Sequence, residues 1–121
     1  MLQDVIDEVL LDDKFIKVKC YNYYALSDLV NDYSCLSIME KEFISKDSHL
    51  DYLFFNSVDK KPICAIELNG VTYHKKGSRQ ERNDSIKKSI MNKIGIPLLT
   101  IWTSQTNCKQ IIFDFLFECD I

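Results

Sequence analysis

A chain of 121 residues is long enough for one domain with a single sizeable core, and we predict that residues 1–121 form one domain. The hydrophobic content of 46% is ordinary for a globular protein. No run reaches the ~18 apolar residues that a membrane-spanning helix needs, so no membrane partner is expected. The acidic N-terminus lacks the basic region of a signal peptide, and the five cysteines include no C-x-x-C pair, which argues against a disulfide framework or a zinc site. We therefore expect a cytoplasmic protein with reduced thiols.

The N-terminal third is predicted to contain a helix, a strand and one helical turn. Apolar residues at helical spacing predict an amphipathic helix whose buried stripe is Leu2, Val5, Ile6, Val9 and Leu10. Residues 15–20 alternate between apolar and basic side chains, which predicts a strand with Ile16 on its buried side. A helical turn is expected at residues 27–30. Residues 31–46 are predicted to be irregular, with a short strand or turn at residues 42–44.

Two apolar runs in the middle of the chain predict an antiparallel hairpin. Residues 49–56 and 62–68 are rich in aromatic and β-branched residues, and a short polar turn joins them. Each run carries one acidic residue in apolar surroundings, Asp51 in the first and Glu67 in the second. Both lie at a similar distance from the turn, so hairpin pairing should bring the two carboxylates within reach of one cation.

The C-terminal half is predicted to contain a crossover helix, a strand and a last helix. The helix covers about residues 79–94, with isoleucines at four-residue spacing and Gly95 as its C-cap. Residues 97–102 predict a short strand, and a final apolar stripe begins at Cys108. Because a helix between two strands favours parallel pairing, the predicted fold class is α/β, a central mixed β-sheet flanked by helices.

Positive charge is concentrated in one segment of an otherwise acidic chain. The whole chain has a formal net charge of −3, but residues 75–93 contain seven basic residues against two acidic ones. A basic segment on an acidic body favours a localised anionic partner. A solvated helix face explains the same pattern equally well, so charge alone does not decide between the two.

Two chemical interpretations fit the acidic residues of the hairpin. A carboxylate in a buried strand is costly unless a cation pairs with it. Asp51 and Glu67 could each be salt-bridged to a lysine or arginine, which is a purely structural role. They could also hold Mg²⁺ between them, since magnesium is usually bound by one or two carboxylates with water and substrate oxygens. In that case Lys87, at the start of the crossover helix, could neutralise charge that develops on a phosphodiester. Because Lys87 borders the isoleucine stripe of that helix, we predict that its stem lies over the sheet and that its ammonium points toward Asp51 and Glu67.

A series of short motifs distinguishes this sequence further. They are His-Leu-Asp51-Tyr-Leu-Phe, Ala-Ile-Glu67-Leu-Asn-Gly, His74, Asp84-Ser-Ile-Lys87 and Gly95-Ile-Pro-Leu-Leu. In this order they resemble the restriction-endonuclease-like PD-(D/E)-x-K nuclease superfamily, and within it the bacterial uncharacterised domains related to very-short-patch-repair endonucleases. The resemblance covers about residues 15–102. It implies a restriction-endonuclease-like core with the element order αβββαβ.

The resemblance also implies an activity, a cofactor and a set of site residues. It implies a Mg²⁺- or Mn²⁺-dependent endonuclease that hydrolyses DNA phosphodiester bonds. The catalytic residues would be Asp51, Glu67, His74 and Lys87, and the metal ligands would be Asp51, Glu67 and the Leu68 carbonyl. The basic segment would contact DNA through Lys75, Lys76, Arg79, Arg82 and Lys88.

The sequence departs from the pattern of these relatives in several places. Asn69 stands where the motif has its strand lysine, so Lys87 would take over that role. Asn83 and Thr100 stand where relatives often have arginine, and the first helix has no convincing match to their glutamate. Two hypotheses therefore stand, an active nuclease and a catalytically impaired module that binds nucleic acid or a protein partner. Either could act as a homodimer or within a larger protein.

Overall fold

The computed structural model describes residues 2–70 and 79–119, which form helices around one sheet. The helices are α1 (Leu2–Leu10), α2 (Leu26–Leu29), α3 (Ile38–Ser45), α4 (Arg79–Ile94) and α5 (Cys108–Glu118), and the strands are β1 (Val18–Ala25), β2 (His49–Asn56), β3 (Pro62–Asn69) and β4 (Leu98–Trp102). Within these described residues, no helix is both long and apolar enough to cross a membrane.

The four strands form one mixed sheet in the order β1-β2-β3-β4. The pairs β1–β2 and β2–β3 are antiparallel, and β4 pairs in parallel with β3 after the crossover helix α4. The predicted hairpin at 49–56 and 62–68 is confirmed, as is the α/β class with its mixed sheet.

Apolar side chains cover both faces of the sheet. Helices α1 and α5 pack on one face, in a buried cluster that includes Ile6, Phe54, Ile66, Ile112 and Leu116. Helices α2, α3 and α4 pack on the other face, in a cluster that includes Leu26, Ile44, Leu53, Ala65 and Ile90. Asp51 and Glu67 have the same strand parity as Leu53 and Ala65, so alternation places both acids on the α4 side.

Two predictions for the N-terminal half are wrong. The first strand begins at Val18 and not at residue 15, because Asp12 caps a short 3₁₀ turn at Asp13–Phe15 by accepting a hydrogen bond from the Lys14 N–H. Ile16 follows that turn and is 74% exposed, so it is not a buried strand residue. The strand instead continues through the aromatic run to Ala25.

Residues 42–44 belong to helix α3 and not to a strand or turn. Ser37 and Glu40 form a capping box at its start: the Ser37 side chain accepts from the Glu40 N–H, and the Glu40 carboxylate accepts from the Ser37 N–H. This reciprocal pair satisfies two backbone donors that a helix start leaves open. The Ser-x-x-Glu spacing is visible in the sequence, but the apolar stripe that follows it is too weak to predict a helix.

Candidate functional site

The two acidic residues of the hairpin meet where strands β2 and β3 separate. The paired residues run from Phe55↔Pro62 to Tyr52↔Ile66. Beyond that point carboxylates take the place of backbone acceptors: the Asp51 N–H donates to Glu67 Oε2 at 3.3 Å, and the Leu68 N–H donates to Asp51 Oδ2 at 2.9 Å. Each carboxylate is thus held by the strand that carries the other, so the two carboxyl groups lie side by side. We refer to Asp51 and Glu67 as the carboxylate pair.

Helix α4 directs one lysine at this pair. The Lys87 ammonium lies 2.6 Å from Glu67 Oε1 and 2.8 Å from the backbone carbonyl oxygen of His49. Its side chain is only 17% exposed, so its aliphatic stem crosses the sheet and its charge points inward. The neighbouring Lys88 is exposed.

Glu67 is held in an environment that favours its protonated form. The residue is 6% exposed, and burial together with hydrogen bonding to the Asp51 side chain raises the pKa of Glu67 to about 7, although Lys87 acts in the opposite direction. Two carboxylates this close repel each other when both are ionised. A proton relieves that repulsion in the free protein, and a divalent cation would relieve it more completely.

The donor set fits Mg²⁺ better than a metal that needs a full cage of protein ligands. Among residues 2–70 and 79–119 there is no group of three or more His, Cys, Asp or Glu side chains that could hold a metal. The carboxylate pair would supply two oxygen ligands, which is the usual protein share for Mg²⁺. The Leu68 carbonyl is a reasonable third ligand, since the N–H and C=O of one strand residue point the same way and the Leu68 N–H points at Asp51.

Asn69 has a positioning role at the end of strand β3. The residue is 8% exposed, and its side-chain Nδ2 donates to Asp84 Oδ2 of helix α4 at 3.3 Å. The Asn69 carbonyl accepts a hydrogen bond from the Thr103 N–H beside β4. Asn69 thus fixes the strand that carries Glu67 against the helix that carries Lys87, which sequence reasoning, looking for a lysine here, did not anticipate.

Two aromatic residues beside the carboxylate pair were also missed. The rings of Tyr23 and His49 are stacked, with centroids 3.9 Å apart and planes at 6°. His49 Nδ1 lies 3.0 Å from the Asp47 carbonyl oxygen, and Nε2 lies 3.6 Å from Asp47 Oδ1. The aromatic run at residues 21–24 was a weak signal for such a stack, because alternation alone does not indicate which way its rings turn.

The remaining predicted site residues are exposed on helix α4 or lie outside the described residues. Arg79 and Arg82 are exposed on helix α4, as is Lys88. His74, Lys75 and Lys76 lie outside the described residues, so their predicted roles stay predictions. Lys93 was counted in the basic segment, but its ammonium lies 2.6 Å from the buried carboxylate of Glu40.

Comparison with protein families places the chain in one of them. The family model described as "Protein of unknown function (DUF2726)" matches residues 26–118. This chain belongs to that family. The matched region includes both members of the carboxylate pair and Lys87. Comparisons with curated proteins and with solved structures gave no match.

Proposed function

We propose that this protein is a metal-dependent endonuclease that hydrolyses DNA phosphodiester bonds, with Mg²⁺ or Mn²⁺ as its cofactor and a restriction-endonuclease-like core as its scaffold. One observation carries the proposal: two carboxylates from neighbouring strands and one inward-facing lysine meet at the splayed end of a hairpin. The order of elements, with a crossover helix between β3 and the parallel strand β4, supports the proposed core.

Each residue of the site has a distinct role in this proposal. Asp51, Glu67 and the Leu68 carbonyl would hold the cation, which supplies a Lewis acid for the phosphate and lowers the pKa of an attacking water. Lys87 is placed to donate to a phosphate oxygen as negative charge develops there. Its contact with the His49 carbonyl holds the ammonium at the site while its partner changes from Glu67 to the substrate.

The hydrogen bond from Lys87 to Glu67 supports a second candidate function. That contact satisfies Glu67 without any metal, as it would in an impaired site that only binds nucleic acid or a protein partner. The two functions differ in one measurable property. The nuclease produces new DNA ends in Mg²⁺ or Mn²⁺ and none in EDTA, whereas the binding module retains DNA under all three conditions.

The decisive experiment measures cleavage of end-labelled single-stranded and duplex DNA with Mg²⁺, Mn²⁺ or EDTA. Asp51→Asn keeps the side-chain shape but removes a ligand charge, so we expect the metal-dependent rate to fall by at least ~10²-fold while thermal unfolding shows a folded protein. Undiminished cleavage by this variant would exclude the assignment of the carboxylate pair.

Lys87 and Lys88 form a matched pair of variants on one helix. Lys87→Ala removes the ammonium beside Glu67, and we expect the cleavage rate to fall by about 10²-fold, the usual cost of losing one preorganised donor. Lys88→Ala removes the same charge from an exposed position on the proposed DNA-binding surface. It should weaken DNA binding but leave the cleavage rate unchanged when the protein is saturated with DNA. Equal losses in the two variants would mean that the lysine contributes only general attraction for DNA.

A further inference from the structure

Tyr23 has an unusual conformation for a residue in the middle of a strand. Its φ angle is 54°, in the left-handed region, and the residue is 69% exposed. A bulky residue rarely adopts such a φ, and backbone strain of this kind is concentrated at functional sites. The strand partners around it are Asn22↔Tyr52 and Tyr24↔Leu50, so the register sets Tyr23 opposite Asp51.

The turned backbone gives Tyr23 a different neighbour from the other tyrosines of β1. Tyr21 stacks on Phe55 with centroids 4.3 Å apart, and Tyr24 lies 5.8 Å from Tyr21. Tyr23 instead rests one ring face on His49 and keeps most of its surface open. We refer to the stacked Tyr23 and His49 rings as the aromatic platform.

The aromatic platform is joined to the proposed catalytic residues in two ways. His49 contributes the carbonyl that binds the Lys87 ammonium at 2.8 Å, so one residue connects the platform to the lysine. A cavity of about 290 Å³ is lined by Asn22, Tyr23, Asp51, Tyr52 and Leu68. A nucleotide with its phosphate at Asp51 would therefore have its base or sugar beside the open face of Tyr23.

A paired duplex does not offer a base to such a surface. Within a duplex the base faces are stacked on their neighbours, and only unpaired bases present a free face to an aromatic side chain. Stacking on tyrosine does not depend on base identity, since every base has a π-face. We propose that the aromatic platform binds an unpaired nucleobase next to the scissile phosphate, which makes DNA with unpaired nucleotides the substrate class of the proposed nuclease. This inference rests on the proposed function for the phosphate's position.

The test compares a single-stranded oligonucleotide that contains 2-aminopurine with a hairpin in which the same sequence is paired with its complement. Binding is measured in Ca²⁺ and again in EDTA, by anisotropy and by quenching of the 2-aminopurine fluorescence. We expect the wild-type protein to bind the single strand at least ~10-fold more tightly than the duplex and to quench its fluorescence, because a stacked base adds affinity of that order.

Three variants distinguish the contribution of the Tyr23 ring to binding from that of its backbone conformation. Tyr23→Gly removes the ring and suits the positive φ, so it should remain folded, lose about 10-fold in affinity for the single strand and lose the quenching. Tyr23→Phe keeps the ring and should keep both properties. Tyr21→Ala is the control, because it removes an exposed tyrosine of the same strand that lies away from the Asp51 cavity.

The outcomes distinguish the platform from the nuclease. Equal affinity for single strand and duplex, or unchanged binding by Tyr23→Gly, would overturn the platform. If DNA is then still cleaved in an Asp51-dependent reaction, the nuclease proposal survives on its own. If no DNA is cleaved but single-strand binding depends on Tyr23, the platform stands and the nuclease proposal fails.

Discussion

At the scale of single residues, Lys87 is held by two contacts, one with the Glu67 carboxylate and one with the His49 carbonyl. Its position next to the isoleucine stripe of the helix predicted an ammonium pointing at the acids, and the 2.6 Å contact with Glu67 confirms that geometry. Its second contact, with the His49 carbonyl, depends on how the strands separate. The backbone conformation of Tyr23 could not be predicted from the sequence either, because a positive φ at a tyrosine has no sequence signal.

The raised pKa of Glu67 predicts that the metal-free protein loses stability as the pH rises. The folded state holds the Glu67 proton up to about pH 7, whereas the unfolded state releases it near the ordinary value of 4.5. Between these values the folded state binds more protons, so the free energy of unfolding falls with increasing pH. We expect a loss of about 3 kcal/mol across this window, measured by urea unfolding in EDTA.

Glu67→Gln provides the comparison that isolates this effect. The amide cannot ionise, so the difference between wild type and variant should change with pH across the window from 4.5 to 7 and be constant above it. A parallel pair of stability curves would show that Glu67 titrates at its ordinary pKa. Adding Mn²⁺ above pH 7 should stabilise the wild-type protein more than the variant, because only the wild type offers two carboxylates.

At the scale of secondary-structure elements, the predictions succeeded where the apolar pattern was strong. The hairpin was predicted within a residue because both strands are rich in aromatic and β-branched residues and a short polar turn joins them. Helix α3 was missed because only two of its residues, Glu40 and Ile44, are buried, so it has no long apolar stripe. A buried acid that caps its own helix has no counterpart in hydrophobic periodicity.

Glu40 is predicted to hold helix α3 on helix α4. It is 4% exposed, and its oxygens accept from the Lys93 ammonium and the Ser89 hydroxyl at 2.6 Å each, besides the Ser37 N–H. We expect Glu40→Ala to lower the free energy of unfolding by about 3 kcal/mol, because it removes a helix cap and leaves Lys93 without its partner.

Glu42→Ala is the matched control for this prediction, since Glu42 is exposed on the same helix. It should change the free energy of unfolding by less than about 0.5 kcal/mol. The Lys93 and Ser89 contacts and the Ser37 N–H also lower the pKa of Glu40 to about 2. Its contribution should therefore be complete above pH 4.5 and be lost as the pH falls towards 2. If Glu40→Ala lowered the free energy of unfolding only near neutral pH, the role assigned to the Glu40 carboxylate would be contradicted.

At the scale of the whole molecule, the structure divides the basic segment into two groups with different roles. Lys87 and Lys93 pair with the buried acids Glu67 and Glu40, and of the two lysines only Lys87 is itself largely buried. Arg79, Arg82 and Lys88 are exposed on helix α4. The sequence predicted the concentration of charge, but it could not separate the lysines that pair with a buried acid from the cations that remain in solvent, since both kinds stand close together along one helix.

DNA is predicted to bind along the exposed cations of helix α4. Replacing Arg79, Arg82 and Lys88 with alanine should weaken binding of every sequence alike, because phosphate contacts carry no base information. With each phosphate contact that is lost, fewer counterions are released when the protein binds DNA. The slope of log affinity against log salt should therefore become shallower by about 2 for single-stranded DNA. The measurement is a series of anisotropy titrations at increasing salt.

The control carries the same loss of charge away from helix α4. Lys14 and Lys109 are exposed beside helices α1 and α5. Lys17 is exposed beside the hairpin turn, where its carbonyl accepts from the Ser57 N–H at the opposite end of β2 from Asp51. Replacement of these three lysines should therefore leave the slope unchanged. Equal changes in slope for both triple variants would mean that DNA responds to net charge and not to a defined surface. If the slope is unchanged for the α4 variant, the phosphate contacts would instead be assigned to Lys75 and Lys76. The same titration of a double alanine variant at these two positions tests that assignment.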